Sequence, residues 1–301
     1  MATKRTLSPA DQHKYRQILQ SATIGALMDS RRWQPGELAF QGGTCLHLAH
    51  GSARFSEDLD FMVRGGLSLG DLSKSVQRRL QRLSGVPPEM VVTVSTPNAE
   101  RNPHAFMVTL SGPHIIGSAK VKVELWSTPG EALDSLKLLV KPIASPTGSQ
   151  AFVPTLTIDE VVADKVYALG ARDRLKARDV FDLWWLCEQQ GASLHADDLL
   201  TRLSIYPAPQ KVSSPQETAE NWLASAVERL ATLDDLQVVK SVVEDLKRWL
   251  PSSWKMDEGV ASQMLSASAR QLQLGIERIQ GAIEAQQLVE IPVAEVVRER
   301  G

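Results

Sequence analysis

Asp58 and Asp60 stand two residues apart in the segment Ser56-Glu-Asp-Leu-Asp-Phe-Met-Val63. Successive side chains of a strand leave opposite faces, so both carboxylates project from one side while Leu59, Phe61 and Val63 project from the other. Such a strand has to lie with one face on a core and the other on polar chemistry. The two carboxylates, with no basic residue between them, repel each other unless a cation sits there. Hard divalent cations such as Mg2+ take oxygen ligands of this kind, with phosphate completing the shell. Shortly before this strand, Gly42-Gly43-Thr44 follows a short apolar stretch, Glu37 to Gln41. Glycines at a strand-to-helix turn let the backbone approach a phosphate, and helix N-terminal N–H groups favour anions. A tight turn with Thr44 as N-cap explains the glycines equally well in isolation. In combination with Asp58-x-Asp60, the turn points to phosphoryl chemistry on a nucleotide.

The elements around this pair form an ordered series. Ser8-Pro9 is a helix start, and apolar spacing continues to residue 30. Thr44 is expected to cap a brief helix, and a helix over 69–83 carries Lys74, Arg78, Arg79 and Arg82 on its exposed face. Residues 90–95, 105–110 and 120–126 alternate like strands. Residues 142–154, which hold Pro, Ser and Gly, read as a linker. Beyond them the pattern is helical over 157–172, 176–189, 196–203, 215–230, 233–249 and 259–287. The expectation is an α+β chain: a mixed sheet with flanking helices over residues 1–145, then an all-helical domain over 146–301 that contributes to the active-site cleft.

Three further constellations carry charge in telling places. Lys122 and Glu124 share one face of their strand. If that strand lies beside the Asp58/Asp60 strand, Glu124 completes a three-carboxylate cluster of the kind that holds metal in phosphoryl transfer; a Lys–Glu pair on a solvated face is the alternative. Lys165 falls within the apolar stripe of the 157–172 helix, where it must snorkel or meet an anion, either a triphosphate or a neighbouring carboxylate. Thr157 and Glu160 form a capping box at that helix's start. Asp179 and Asp182, three apart, share a helix face. Arg174, Lys176 and Arg178 surround the helix start, and Arg178 to Asp182 also reads as an intrahelical ion pair.

Phe40-Gln-Gly-Gly-Thr-Cys-Leu46, Arg54-Phe-Ser-Glu-Asp-Leu-Asp-Phe61, Asp164-Lys165 and Lys176-Ala-Arg-Asp-Val-Phe-Asp-Leu183 together resemble the AbiEii/AbiGii toxin family of the nucleotidyltransferase superfamily. The resemblance covers about residues 35–190. It implies a nucleotidyltransferase-type mixed sheet, use of NTP with Mg2+, and, as in some members, nucleotide addition to the 3′ end of tRNA. Nucleotidylation of a protein or small molecule is the alternative, as is a catalytically weak NTP-binding module acting through protein partners. The resemblance assigns metal to Asp58 and Asp60, with Glu124 as third carboxylate, and the triphosphate to Lys165. Gly42, Gly43, Thr44 and Arg178 fall to nucleotide binding, and Asp179 and Asp182 to the catalytic element completing the cleft. A cognate antitoxin is the implied partner. Two departures stand out: Gln41 where a lysine often precedes the double glycine, and Glu124 where related transferases often carry aspartate.

Composition narrows the setting. A formal net charge of −2 gives no global basic field, so any nucleic-acid surface has to be local. Two cysteines, Cys45 and Cys187, supply neither a disulfide framework nor a zinc cluster and suit a reducing compartment. His47 and His50 lack further ligands to complete a metal set. No apolar run spans a membrane and no signal-peptide core opens the chain, so a cytoplasmic protein is expected.

Overall fold

The computed structural model describes residues 4–81, 83–96, 102–144, 148, 150–206 and 215–285. In order these form β1 (Arg5–Thr6), α1 (Pro9–Ser30), β2 (Leu38–Gln41), α2 (Gly42–His50), β3 (Leu59–Arg64), α3 (Leu72–Leu80) and β4 (Val91–Val94). Next come β5 (His104–Ser111), β6 (Ile115–Ile116), β7 (Ala119–Thr128), α4 (Gly130–Ser135), β8 (Leu138–Ala144) and β9 (Gln150–Leu156). The remainder is helical: α5 (Ile158–Ala171), α6 (Ala177–Trp184) with a π-helical turn over Trp185–Gln189, α7 (Ala196–Ile205), α8 (Pro215–Leu230), α9 (Leu236–Leu246) and α10 (Glu258–Glu284). Arg82 and the C-terminal residues 295–300 lie outside the described residues.

Contacts divide the chain into two compact units. The first holds residues 1–51, 56–133 and 138–155; the second holds 52–55, 134–137 and 156–301. In the first, a sheet of the described residues runs β4-β5-β7-β3-β2-β9-β8, with β3 parallel to β7 and antiparallel to β2. A small β1-β6 ladder stands apart from it. The sheet is mixed, as the sequence pattern implied. Residues 142–144 and 150–154 are strand rather than linker, however. β8 and β9 extend the sheet, and β9 runs parallel to β2 with Phe40 opposite Thr155. The alternation there is weak because β8 is an edge strand, with Leu139 and Val140 about half exposed or more, so it lacks the period-two signal of a half-buried strand.

One face of the sheet makes the core. Leu59, Phe61 and Val63 of β3, Val121, Val123 and Leu125 of β7, and Phe106, Val108 and Leu110 of β5 are all buried, in one cluster with Leu19, Ile24 and Leu27 of α1. Phe40 and Phe61 stack with ring centroids 4.8 Å apart. α1 starts as expected, with the Ser8 hydroxyl accepting from Asp11 N–H at 3.0 Å and Pro9 in the first turn. The sheet's opposite face carries Asp60, Lys122 and Glu124.

In the helical unit, α5 is held by a buried arginine. Arg202 of α7, fully buried, donates to Glu160 Oε2 and the Glu160 carbonyl at 2.7 Å and to Asp164 Oδ1 at 2.5 Å. Only half of the expected capping box forms. The Thr157 hydroxyl accepts from Glu160 N–H, whereas the Glu160 carboxylate, committed to Arg202, accepts from Lys137 N–H rather than reaching back. Trp222 of α8 donates to the Tyr167 carbonyl at 3.0 Å and lies against Gly170, where a Cβ would meet its ring at 2.7 Å.

Candidate active site

The carboxylate face of the first unit is built by register. β3 and β7 pair Leu59 with Val123 and Asp60 with Glu124, so Asp60 and Glu124 stand side by side. On the other flank β2 pairs Gln41 with Asp60, and on the far side β5 places Ala105 beside Glu124. A row Gln41–Asp60–Glu124 therefore crosses three strands and ends at a small residue. The strand adjacency on which the Glu124 expectation depended is present.

The glycine turn is shaped around Asp60. Gly42 has φ +77°, a left-handed conformation, and a Cβ there would stand 2.6 Å from Asp60 Oδ2. Only glycine meets both conditions without displacing the carboxylate. α2 begins at Gly42 with Gln41 in the cap position, so Thr44 is not the cap; it is fully buried, and its hydroxyl donates to the Asp58 carbonyl. A threonine after Gly-Gly is a good cap by sequence, but here the helix starts at Gly42, two residues before it. α1 holds the same segment from another side. Gln20 Nε2 donates to the Ser56 and Glu57 carbonyls at 2.8 and 3.1 Å, and Arg16 pairs with Glu57 at 2.7 Å. The backbone leading into Asp58 is thus fixed by donors on two helices.

Lys122 lies among these carboxylates. Its ammonium pairs with Glu124, and its pKa is raised by that bond and further by the charges of Glu124, Asp58 and Asp60, against the lowering effect of burial. Asp58 and Asp60 are partly exposed, unlike the buried carboxylates of the helical unit. The Lys122–Glu124 pair forms, and it forms on the face that also carries Asp60. As a donor set these residues are oxygen-rich and suit a hard divalent cation. Among the described residues, no group of three or more His, Cys, Asp or Glu side chains is arranged to hold a metal ion. The fit is therefore with Asp58 and Asp60 as protein ligands and phosphate or water completing the shell.

The second unit gathers Lys165, Asp179 and Asp182 into one buried network. Lys165 Nζ lies 2.9 Å from Asp179 Oδ1 and 2.8 Å from Asp182 Oδ2, which resolves its place in an apolar stripe in favour of carboxylates. Arg54, which sequence reasoning left without a role, completes the network: Nε and Nη2 donate to Asp182 Oδ1 and Oδ2, both at 2.7 Å. Arg172 closes it on Asp179. Burial alone pushes the Asp182 carboxyl up, but Arg54 and Lys165 outweigh it and hold the pKa at about 2. Asp179 is lowered likewise by Lys165 and Arg172 against burial, and Lys165 is raised by the two aspartates against burial. The expected Arg178–Asp182 pair is replaced by Arg54–Asp182, while Arg178 stacks on Trp249 with its guanidinium carbon 4.4 Å from the ring centroid. Asp182, expected among the catalytic groups, has no exposed side-chain surface and both oxygens bonded, the condition of an anchor. Arg54 was visible as part of Arg-Phe-Ser-Glu-Asp-Leu-Asp, but its partner lies 128 residues away, beyond any local signal.

The family model of the nucleotidyl transferase AbiEii toxin, type IV toxin–antitoxin system, matches residues 27–240, more than half of the chain. The chain belongs to the AbiEii family. This AbiEii-family protein also shares its fold with solved structures. A putative nucleotidyltransferase from Helicobacter pylori aligns at TM-score 0.51 and 19% identity, over 91% of this chain and 98% of that one. MenT4, a nucleotidyltransferase toxin from Mycobacterium tuberculosis, aligns at TM-score 0.50 and 15% identity, over 94% of this chain and 89% of that one. No curated protein matches the sequence. AbiEii membership makes the chain a nucleotidyltransferase toxin of a toxin–antitoxin system. No helix of the described residues is long and apolar enough to cross a membrane.

Proposed function

We propose that this AbiEii toxin transfers a nucleoside monophosphate from an NTP to an acceptor hydroxyl, with the 3′ end of tRNA as acceptor. The observation that carries the reading is the Gln41–Asp60–Glu124 row with Gly42 moulded over Asp60, a face where carboxylates meet a backbone turn suited to phosphate. The acceptor oxygen attacks the α-phosphate, its proton passes to a carboxylate of the site, the bond to the β-phosphate breaks, and pyrophosphate leaves. Asp58 and Asp60 would hold Mg2+, which when bound neutralises charge on the phosphates and aligns them for in-line attack. Gly42 and Gly43 let the backbone approach the phosphates. Thr44 acts through the Asp58 carbonyl rather than on the nucleotide. Lys165, Asp179 and Asp182 are paired with one another inside the helical unit, where the two aspartates hold the ammonium in place.

An RNA acceptor is what the family resemblance implies; Lys74, Arg78 and Arg79 are exposed on α3, but Leu72, Val76 and Leu80 pack that helix on the core side of the sheet, away from the carboxylate face. Lys74 and Arg78 border a cavity of about 530 Å³ shared with Gln77 and Ser95. An antitoxin partner and a cytoplasmic site of action follow from the same reading. Incubation with total tRNA and each labelled NTP in turn tests it: label is expected in the tRNA fraction and absent with the Asp60→Asn variant. Label in protein or small molecules would move the acceptor, and no label in any fraction, despite NTP binding, would leave only a binding module.

A further inference from the structure

Lys122 belongs to the carboxylate face, yet the expected machinery gives it no task. On β7 it leaves the same face as Glu124, and its ammonium folds onto the Glu124 carboxylate. The parallel register steps Asp60–Glu124 and Leu59–Val123, continued by one residue, bring Lys122 alongside Asp58. The face is thus a small block of four charges, three carboxylates and one ammonium. Within it the Lys122 side chain is 44% exposed and that of Glu124 only 16%, so the cation stands outermost. A glutamate oxygen occupied by an ammonium is a poor competitor for a metal shell, and Mg2+ commonly takes one or two carboxylates with phosphate and water supplying the rest. An ammonium has three donors, and one bond to Glu124 leaves donors to meet a phosphate oxygen.

We propose that this site takes a single divalent cation, on Asp58 and Asp60, and that Lys122, seated on Glu124, is its second positive centre and binds a phosphate of the NTP. The proposal rests on the nucleotidyl-transfer reading above. It makes Glu124 a positioning residue for a lysine rather than a metal ligand. Reaching a neighbouring lysine on the same strand makes no demand for the tight geometry of a metal shell.

The test is a Mn2+ titration of the full chain followed by electron paramagnetic resonance, then titration of the Mn2+-loaded protein with a non-hydrolysable NTP analogue. Wild type is expected to bind one Mn2+, and Glu124→Gln to keep that one ion with affinity weakened by about tenfold at most, since a neighbouring charge but no ligand is lost. Lys122→Met should bind the analogue about tenfold more weakly, the size of one charge-assisted hydrogen bond, with Lys122→Arg recovering most of the loss. Two Mn2+ in wild type, with one lost in Glu124→Gln, overturns the proposal and leaves nucleotidyl transfer standing. Unchanged analogue affinity in Lys122→Met overturns it as well. Undiminished Mn2+ binding by Asp60→Asn would instead remove the reading on which it rests. Should Lys122→Met melt early, the Glu124→Gln stoichiometry decides alone: one ion supports the proposal and none overturns it.

Discussion

Asp58-x-Asp60 and Asp179-x-x-Asp182 are the two aspartate pairs that sequence singles out, and they live in opposite surroundings. The helical pair is buried and saturated: Asp182 accepts from Arg54 and Lys165, and Asp179 from Lys165 and Arg172. The strand pair is partly exposed, beside a third carboxylate, with Lys122 in their shared field. Spacing alone cannot separate the two, because both patterns put carboxylates on a common face. Burial and the local ratio of cations to anions can. A buried pair with matched cations holds structure; a half-open cluster with more carboxylates than lysines is where a foreign cation has something to gain.

Four measurements would break or sharpen that contrast. The largest effect is expected from Arg54→Ala, which removes two buried charged hydrogen bonds from Asp182. It should lower unfolding free energy by about 3–5 kcal/mol, read as a fall in the urea midpoint of the helical unit. A shift under about 1 kcal/mol would mean that Asp182 is not anchored as drawn. Asp60→Asn should do the reverse: transfer falls at least about a hundredfold, as for loss of a metal-site group, while the melting midpoint stays within a degree or so.

Acid titration separates the pairs next. The pKa of Asp182 is about 2 in the folded chain against an ordinary 3.8. Because the folded value is depressed, its stabilisation is complete above pH 3.8 and disappears as pH falls through about 2. The difference corresponds to about 2 kcal/mol. Urea midpoints between pH 5 and 2 should fall, and Asp182→Asn should flatten that fall. A wild-type curve as flat as the variant's would show the ion pair to be inert. The smallest effect is Gly42→Ala, where the left-handed φ costs about 1–2 kcal/mol. Its Cβ would also crowd the Asp60 carboxylate, so Mn2+ affinity should weaken alongside stability.

Much of this was legible because it is local. Alternation gave β3, β5 and β7; Ser8-Pro9 gave α1; and the helices from 158 onward fall close to the periodic segments. Glu124 could be nominated from its strand face alone, with adjacency to β3 left as the condition the fold had to meet. What escaped is long-range. β8 escaped because an edge strand lacks a two-faced pattern, and Pro142 and Pro154 made it and its inner neighbour β9 resemble a connector. Lys165 could be flagged as anomalous, but its two aspartates lie 14 and 17 positions on, where only tertiary folding selects a triphosphate or a carboxylate. Arg54 escaped because its reason for existing lies far along the chain. The π-helical turn at Trp185–Gln189 had no local marker in the run Trp-Trp-Leu-Cys.

One consequence follows from where Arg54 sits. Residues 52–55 lie in sequence between the glycine turn's helix and the aspartate strand, yet they belong with the helical unit, tied there through Asp182 and through Phe55 N–H on the Trp249 carbonyl. The two units are therefore not exchangeable cassettes. A fragment ending at Thr155 would keep the guanidinium and discard its counter-ion, and a hybrid joined at that point to a foreign helical half would inherit the same orphan. A hybrid between relatives would keep the buried pair only where the Arg54-to-Asp182 match travels with both pieces.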